Sequence, residues 1–282
     1  MTQAEDKAQN RKHWDTLAPY WKAWWPKYKP ASQAVSDWMV THSQVQAGDW
    51  VLDLATGLGE PAFSFANAVG PDGFVMGVDQ SDYMVDFAKA EAREQSLQHT
   101  QFEVHDVESL DLTGKPQFDV LASRWGLMFF TDLVGSLNHL KQYLKPDGRL
   151  VAAVWHEPER APQLSLAFAV LKSSLGIDLT RPGPGPFTLA DSEHFIALLS
   201  QAGFELQSME TVDVVLHHAD TQAYLTDRMQ TSPILVETLN ALTQEQRQIF
   251  EQALEQAIAP WQHDQGISLV NHAYCVSCTL KK

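Results

Sequence analysis

Val51-Leu52-Asp53-Leu54-Ala55-Thr56-Gly57-Leu58-Gly59-Glu60-Pro61-Ala62 is the stretch on which the fold turns. An apolar run of strand composition ends in an acid, and a glycine-rich turn then opens a helix. Pro61 suits the first helical turn, where a missing N–H costs nothing. Gly57 and Gly59 let the backbone approach a ligand closely. Gly57, Gly59 and Ala62 also satisfy G-x-G-x-x-A, so a dinucleotide site stays open at this point.

Outward from this stretch, short apolar runs alternate with helical-period segments. WVLDLA (50–55) precedes PAFSFANAV (61–69), and FVMGVD (74–79) precedes YMVDFAKAEARE (83–94). FEVHD (102–106), FDVLAS (118–123), a helix at 133–144 and RLVAAVW (149–155) continue the rhythm. Such alternation predicts an α/β fold: a doubly wound, mainly parallel, seven-stranded Rossmann-like sheet with a helical cap. Ligands bind such sheets at the strands' carboxyl ends, near the topological switch point.

After Trp155 the rhythm changes. Helices are expected at 163–175, 191–202, 220–230 and 243–258, with strands at 205–216 and 268–280; an antiparallel last strand would suit its late arrival. The expected organisation is an aromatic-rich, helical N-terminal segment at 1–44 covering the site, a ligand-binding α/β core at 45–156, a cap insertion and helix at 157–203, and terminal strands of the sheet at 204–282 with a helical insertion at about 217–262. RPGPGPF at 181–187 is linker-like.

The chain of 282 residues is 44% hydrophobic and 20% charged, which excludes collagen-like, low-complexity and wholly disordered classes. No apolar run reaches the roughly 18 residues that span a bilayer, and the N-terminus lacks an apolar signal core, so a cytoplasmic protein without membrane insertion is expected. A net charge of -15 argues against nucleic acid as a partner. Cys275 and Cys278 lie in a β-branched stretch without a second ligand pair, which reads as buried thiols. No carboxylate/His cluster has octahedral spacing, so no metal is expected.

Asp79 ends the second strand, 26 residues after Asp53, placed to accept hydrogen bonds from both hydroxyls of a ribose. Asp106 ends the third, positioned to hold an adenine amino group, with Val107 beside it to pack on the ring. Each acid alone is also what strand ends and turns favour.

Over residues 45–156 the sequence resembles the class I S-adenosylmethionine-dependent methyltransferases, particularly the small-molecule group of ubiquinone and menaquinone biosynthesis. The family's acidic-x-Gly-x-Gly-x-Gly motif falls on Asp53, Ala55, Gly57 and Gly59, with Ala55 replacing the first glycine. Leu144-Lys145-Pro146-Asp147-Gly148-Arg149-Leu150 looks like its turn into strand five, and Ser123-Arg124-Trp125-Gly126-Leu127-Met128-Phe129-Phe130 like its segment after strand four. The resemblance implies S-adenosylmethionine as cofactor and S-adenosylhomocysteine as product. It places Asp53, Ala55, Thr56, Gly57, Gly59, Asp79, Gln80, Met84, Asp106, Val107 and Ser123 at the cofactor. The Asn/Asp-Pro-Pro-aromatic element of base-methylating relatives is missing after strand four, which leaves a small-molecule acceptor.

Acceptor-side candidates stand at strand ends and in the N-terminal segment. His156 reads as a general base or as a loop-stabilising histidine, and Arg124 as an anchor for an anionic substrate or as the partner of a carboxylate. Trp14, Trp21, Trp24, Trp25 and Tyr28 follow near-helical spacing, which reads equally as a helix over the acceptor pocket or as core. Pro19 and Pro26 interrupt that helix's face. Tyr20, Trp25, Trp125, Phe168, Phe187 and Met229 are the candidate walls for an aromatic or apolar acceptor. An O- or C-methyltransferase leads; an N-methyltransferase, an NAD(P)-dependent oxidoreductase and a non-catalytic cofactor-binding scaffold stay open, as does the oligomeric state.

Overall fold

A computed structural model describes residues 3–180 and 183–281; Arg181 and Pro182, which open the expected linker, lie outside these. β3 (Thr100–Val104), β2 (Phe74–Asp79), β1 (Trp50–Leu54), β4 (Phe118–Arg124) and β5 (Leu144–Trp155) lie side by side in that order, all parallel. β8 (Gly266–Leu280) adds antiparallel to β5, and β6 (Phe204–His218) antiparallel to β8. A two-residue β7 (Gln262–His263) pairs with the start of β8, giving eight strands where seven were expected.

The chain moves outward from β1 through β2 to β3, then returns to the other flank of β1 as β4. The switch point therefore lies between the carboxyl ends of β1 and β4, beside the glycine loop. Both faces of the central strands are covered, which is why Val51, Leu52, Leu54, Val120, Leu121 and Ala122 are all buried rather than alternating.

α1 (Gln3–Ala31) and α2 (Gln33–Ser43) precede the sheet, and α3 (Ala62–Val69), α4 (Asp82–Glu94) and α5 (Leu133–Leu140) wind around it. α1 stays helical through Pro19, Pro26 and Pro30, against the expected interruption. Each interior proline forfeits a helical hydrogen bond, at about 3 kcal/mol. Burial of Leu17, Ala18, Trp24, Trp25 and Tyr28 offsets that loss, each large side chain contributing about 1.5–3 kcal/mol. The helix expected at 133–144 ends at Leu140, tightens into a 3-10 turn over Lys141–Tyr143, and Leu144 opens β5.

α6 (Pro162–Leu175), α8 (Thr221–Thr231), α9 (Pro233–Ala241) and α10 (Gln244–Ile258) share a second core built on Leu171, Tyr224, Leu235, Phe250 and Leu254. Ile267 and Leu269 of β8 seat this cap on the sheet. α9 was not anticipated: its nine residues after Pro233 are too few for a periodic signal to stand out. α7 (Ser192–Gln201) packs on β6. Cys275 and Cys278 are both buried in β8.

Candidate active site

The loop leaving β1 takes left-handed backbone at Ala55 (φ +56°), Gly57 (φ +54°) and Gly59 (φ +102°). For Ala55 that conformation costs roughly 1–2 kcal/mol, which the sheet must hold in place. Thr56 does so by donating its N–H to Val78 O at 3.0 Å. A Cβ on Gly59 would lie 2.2 Å from the Phe63 ring, whereas one on Gly57 would meet nothing within 4 Å. The Gly57 backbone therefore borders open space that a side chain would fill.

Asp79 stands across from it at the end of β2. The Gly57 N–H donates to its Oδ2 and the Ser81 N–H to its Oδ1, both at 2.9 Å. Each oxygen keeps a lone pair beyond its backbone donor. The residue is 9% exposed, and burial holds its carboxyl above the usual range, with the nearby Asp15 adding to the rise. A vicinal diol suits such an acceptor pair. Gln80 is half-buried next to it, and Met84 is buried in the first turn of α4, its N–H donated to Ser81 Oγ at 3.3 Å.

Asp53 and Thr56 brace the loop from beneath. Thr56 Oγ1 donates to Asp53 Oδ2 at 2.6 Å, and Asp53 Oδ1 is buried without a hydrogen-bond partner. Burial pushes the Asp53 carboxyl up to about 7. Ser123 is likewise buried, donating its hydroxyl to Leu54 O at 2.9 Å and so tying β4 to β1. Asp106 stands two residues beyond the end of β3, not at it. Its Oδ1 accepts from the Glu108 N–H and its Oδ2 from the Ser109 hydroxyl, both at 3.0 Å, while Val107 is buried beside it.

α1 lies across these strand ends. Ser81 Oγ donates to Asp15 Oδ1 at 2.6 Å, Arg11 pairs with Asp82, and Trp14 meets Phe129 edge-on at 5.0 Å. Toward its other end, Lys27 pairs with Asp227 of the cap and lies 3.2 Å from His218 Nδ1. Lys29 approaches Glu60 of the glycine loop at 3.8 Å. The helix thus bridges the turn after β2 and the cap.

Between those ends, aromatic rings gather around Tyr28. Trp24 stacks on it at 4.7 Å, and Trp21, Trp125 and Trp25 lie at 5.4, 5.5 and 6.5 Å. Trp125, at φ +61° directly after β4, stacks on Trp155 at 4.6 Å. The Arg124 guanidinium sits 4.8 Å from the Trp125 ring centroid. Arg124 is buried, and its Nη1 donates to Ser32 O, Ser32 Oγ and Ser36 Oγ at 3.3, 3.2 and 2.9 Å.

The six expected wall residues fall in four places. Trp25 and Trp125 belong to the Tyr28 cluster. Tyr20, 49% exposed, lines an open groove of about 550 Å3 with Met229, Thr226 and Val236 of the cap. Phe168 lies in the cap core 5.8 Å from the Arg228 guanidinium, and Phe187 packs on the main core. His156 stacks on Tyr274 at 4.1 Å; its Nδ1 accepts the Glu157 N–H at 2.9 Å, and its Nε2 lies 3.1 Å from Arg160. Burial and then Arg160 hold its pKa below the usual range, and its ring lies against Tyr274 of β8.

Asp15, Ser81, Glu60 and the Lys27–Asp227 pair escaped sequence reasoning. Glu60 alone carried a signal, an acid inside a glycine loop; the others depend on contacts across 66 and 200 residues of chain. Among the described residues, no three His, Cys, Asp or Glu side chains group as a metal centre requires, and no helix is long and apolar enough to cross a membrane.

Residues 46–177 match the family described as a methyltransferase domain. The chain is 36% identical over 108 residues to the demethylmenaquinone methyltransferase of Lactobacillus johnsonii, covering 38% of this chain and 44% of that one. It is 30% identical over 152 residues to the 2-phytyl-1,4-naphtoquinone methyltransferase of Trichormus variabilis, covering 49% and 65%. The alignments thus span about half the length of these curated relatives. In fold, it resembles a methyltransferase from Thiobacillus denitrificans solved in complex with S-adenosyl-L-homocysteine, with a TM-score of 0.52 at 16% identity over 88% of this chain and 91% of that one. The segment 46–177, with its glycine loop and Asp79, is thus similar to a methyltransferase domain in sequence and to methyltransferases in fold.

Proposed function

We propose that the protein transfers a methyl group from S-adenosylmethionine to the oxygen or carbon of a small aromatic or otherwise apolar metabolite. The observation that carries this reading is Asp79, whose two carboxylate oxygens are aimed by the Gly57 and Ser81 N–H groups beside open space over Gly57. When bound, the cofactor supplies an activated methyl on its sulfonium, so the protein's task is to position and to exclude water. Asp79 would hold the ribose hydroxyls, Met84 and Val107 would pack against the adenosine, and Asp106 would take the adenine amino group. α1 would close over them through Asp15 and Ser81.

The relatives named for demethylmenaquinone and phytyl-naphthoquinone support a flat, apolar acceptor, and the rings around Tyr28 supply matching surface. Calorimetric titration with S-adenosylhomocysteine, with NADH in parallel, tests the cofactor. Saturable binding of the first alone is expected, and binding of NADH alone would overturn the reading in favour of an oxidoreductase. A panel of phenols, quinols, β-keto acids and amines then tests transfer. Tight cofactor binding with no methylated product across the panel would point to a non-catalytic scaffold.

A further inference from the structure

Four donor atoms of the Tyr28 cluster, Trp24 Nε1, Trp25 Nε1, Trp125 Nε1 and Arg124 Nε, are buried without a hydrogen-bond partner. Indole and guanidinium groups donate and cannot accept. Each buried donor left unsatisfied carries its desolvation cost without the return of a hydrogen bond, so several in one cluster are not what packing alone selects. Of the nearby protein acceptors, the oxygens of Ser32 and Ser36 receive Arg124 Nη1, Asp53 Oδ2 receives Thr56, and Glu60 receives Ser64 at 2.7 Å with Lys29 alongside, while Asp53 Oδ1 is buried and itself unpartnered. Glu60 and Asp53 favour the Arg124 cation only through space, and burial works against it.

The buried donors outnumber the acceptors of the cluster, of which the Tyr28 hydroxyl is one, and the rings offer flat apolar surface. Aromatic faces also attract cations, but the face of Trp125 is already taken by the Arg124 guanidinium, which would repel one. The position is beside the cofactor loop: a Cβ built on Gly126, next to Trp125, would lie 2.7 Å from the Cβ of Ala55. We propose that Arg124, with the indole N–H groups of Trp25 and Trp125, forms the subsite that receives an anionic oxygen of a planar apolar methyl acceptor, a carboxylate, phenolate or enolate. This rests on the methyltransferase reading and narrows its substrate class. The oxygen is then either the atom methylated or the group that activates a neighbouring carbon.

The test uses the full chain loaded with S-adenosylhomocysteine and titrates 2-naphthoate, its neutral isostere 2-naphthamide, and 2-naphthylmethylammonium by calorimetry. Naphthoate is expected to bind about 10-fold or more tighter than the amide, with the ammonium weakest. Arg124→Gln should lower naphthoate affinity about 10- to 100-fold, to the level of the amide, and Arg124→Lys should recover part of it, while affinity for S-adenosylhomocysteine stays within about 2-fold. Trp25→Phe keeps an aromatic ring, removes one donor, and should weaken naphthoate a few-fold; it serves if Arg124→Gln does not fold. Absence of naphthoate binding, equal affinity for naphthoate and naphthamide in the wild type, or a naphthoate affinity indifferent to these substitutions overturns the proposal. If S-adenosylhomocysteine itself fails to bind, the methyltransferase reading falls, and the naphthoate preference of the unloaded protein still decides this one.

Discussion

The Cβ of Ala55 stands too close to Gly126 for a side chain to begin there. A methyl built on Gly126 lies 2.7 Å from that atom, 2.6 Å from Ser123 Oγ and 3.1 Å from Leu54 O. The alanine that stands at the first glycine position of the cofactor motif is therefore matched by a glycine on the adjacent strand end. Gly126→Ala should cost about 1–3 kcal/mol of stability, since overpacking a closed site forces neighbours apart. Ala55→Gly added to it should restore part of the loss, leaving the clash with Ser123. Urea denaturation of the two single variants and the double variant measures the coupling, and strict additivity would show the two sites to be independent.

Asp79→Ala should weaken S-adenosylhomocysteine about 10- to 100-fold, because it removes the acceptor pair and leaves the Gly57 and Ser81 N–H groups without partners. Asp79→Asn, which keeps one acceptor oxygen, should fall between. Calorimetry reads both, and an unchanged affinity would remove Asp79 from the cofactor site.

Asp53 makes stability depend on pH in a direction opposite to most carboxylates. Its folded-state pKa is raised from 3.8 to about 7 by burial, so between those values the folded state holds a proton that the unfolded state has released. Its contribution is fully present below about pH 4 and is lost as pH rises through about 7, a change on the order of a few kcal/mol. Asp53→Asn should flatten this part of the urea-midpoint profile and be more stable than the wild type at pH 8. Parallel profiles would contradict the assignment.

Lys27 ties α1 to the cap through Asp227 and His218. Lys27→Met should leave a partly buried carboxylate poorly compensated, at about 1–3 kcal/mol. Hydrogen exchange followed by mass spectrometry should show faster exchange over 11–31 and 221–231, with β1 and β2 unaffected. Uniform acceleration across the chain would mean a global loss instead.

Cys275 and Cys278 should be silent to thiol reagents in the native protein. Burial pushes both thiols up to about 12, which leaves almost no thiolate near neutral pH. Titration with an aromatic disulfide should report two thiols in denaturant and none in buffer.

The glycine loop, the strands on either side of it and Asp79 were legible in the letters, because strand burial and turn chemistry are local and periodic. So were the helices α6, α8 and α10, though α9 was too short to be seen. The continuity of α1 was not legible: proline is a local penalty, and the burial that overrides it belongs to the assembled core. Arg124 shows the same division. Its place at the end of β4 follows from the run FDVLAS before it, but its bonds to Ser32 and Ser36 join residues about 90 positions apart.

His156 marks the boundary most clearly. Sequence put it at the active edge, directly after β5, and the register of β8 then turned it against Tyr274. Local pattern is enough to order the elements and to point an acid at a strand's end, since backbone sterics and hydrophobic period act over a few residues. Which side chains meet, which donors lack acceptors and which charges lie buried follow from packing between distant segments, and that information exists once the sheet has brought them together.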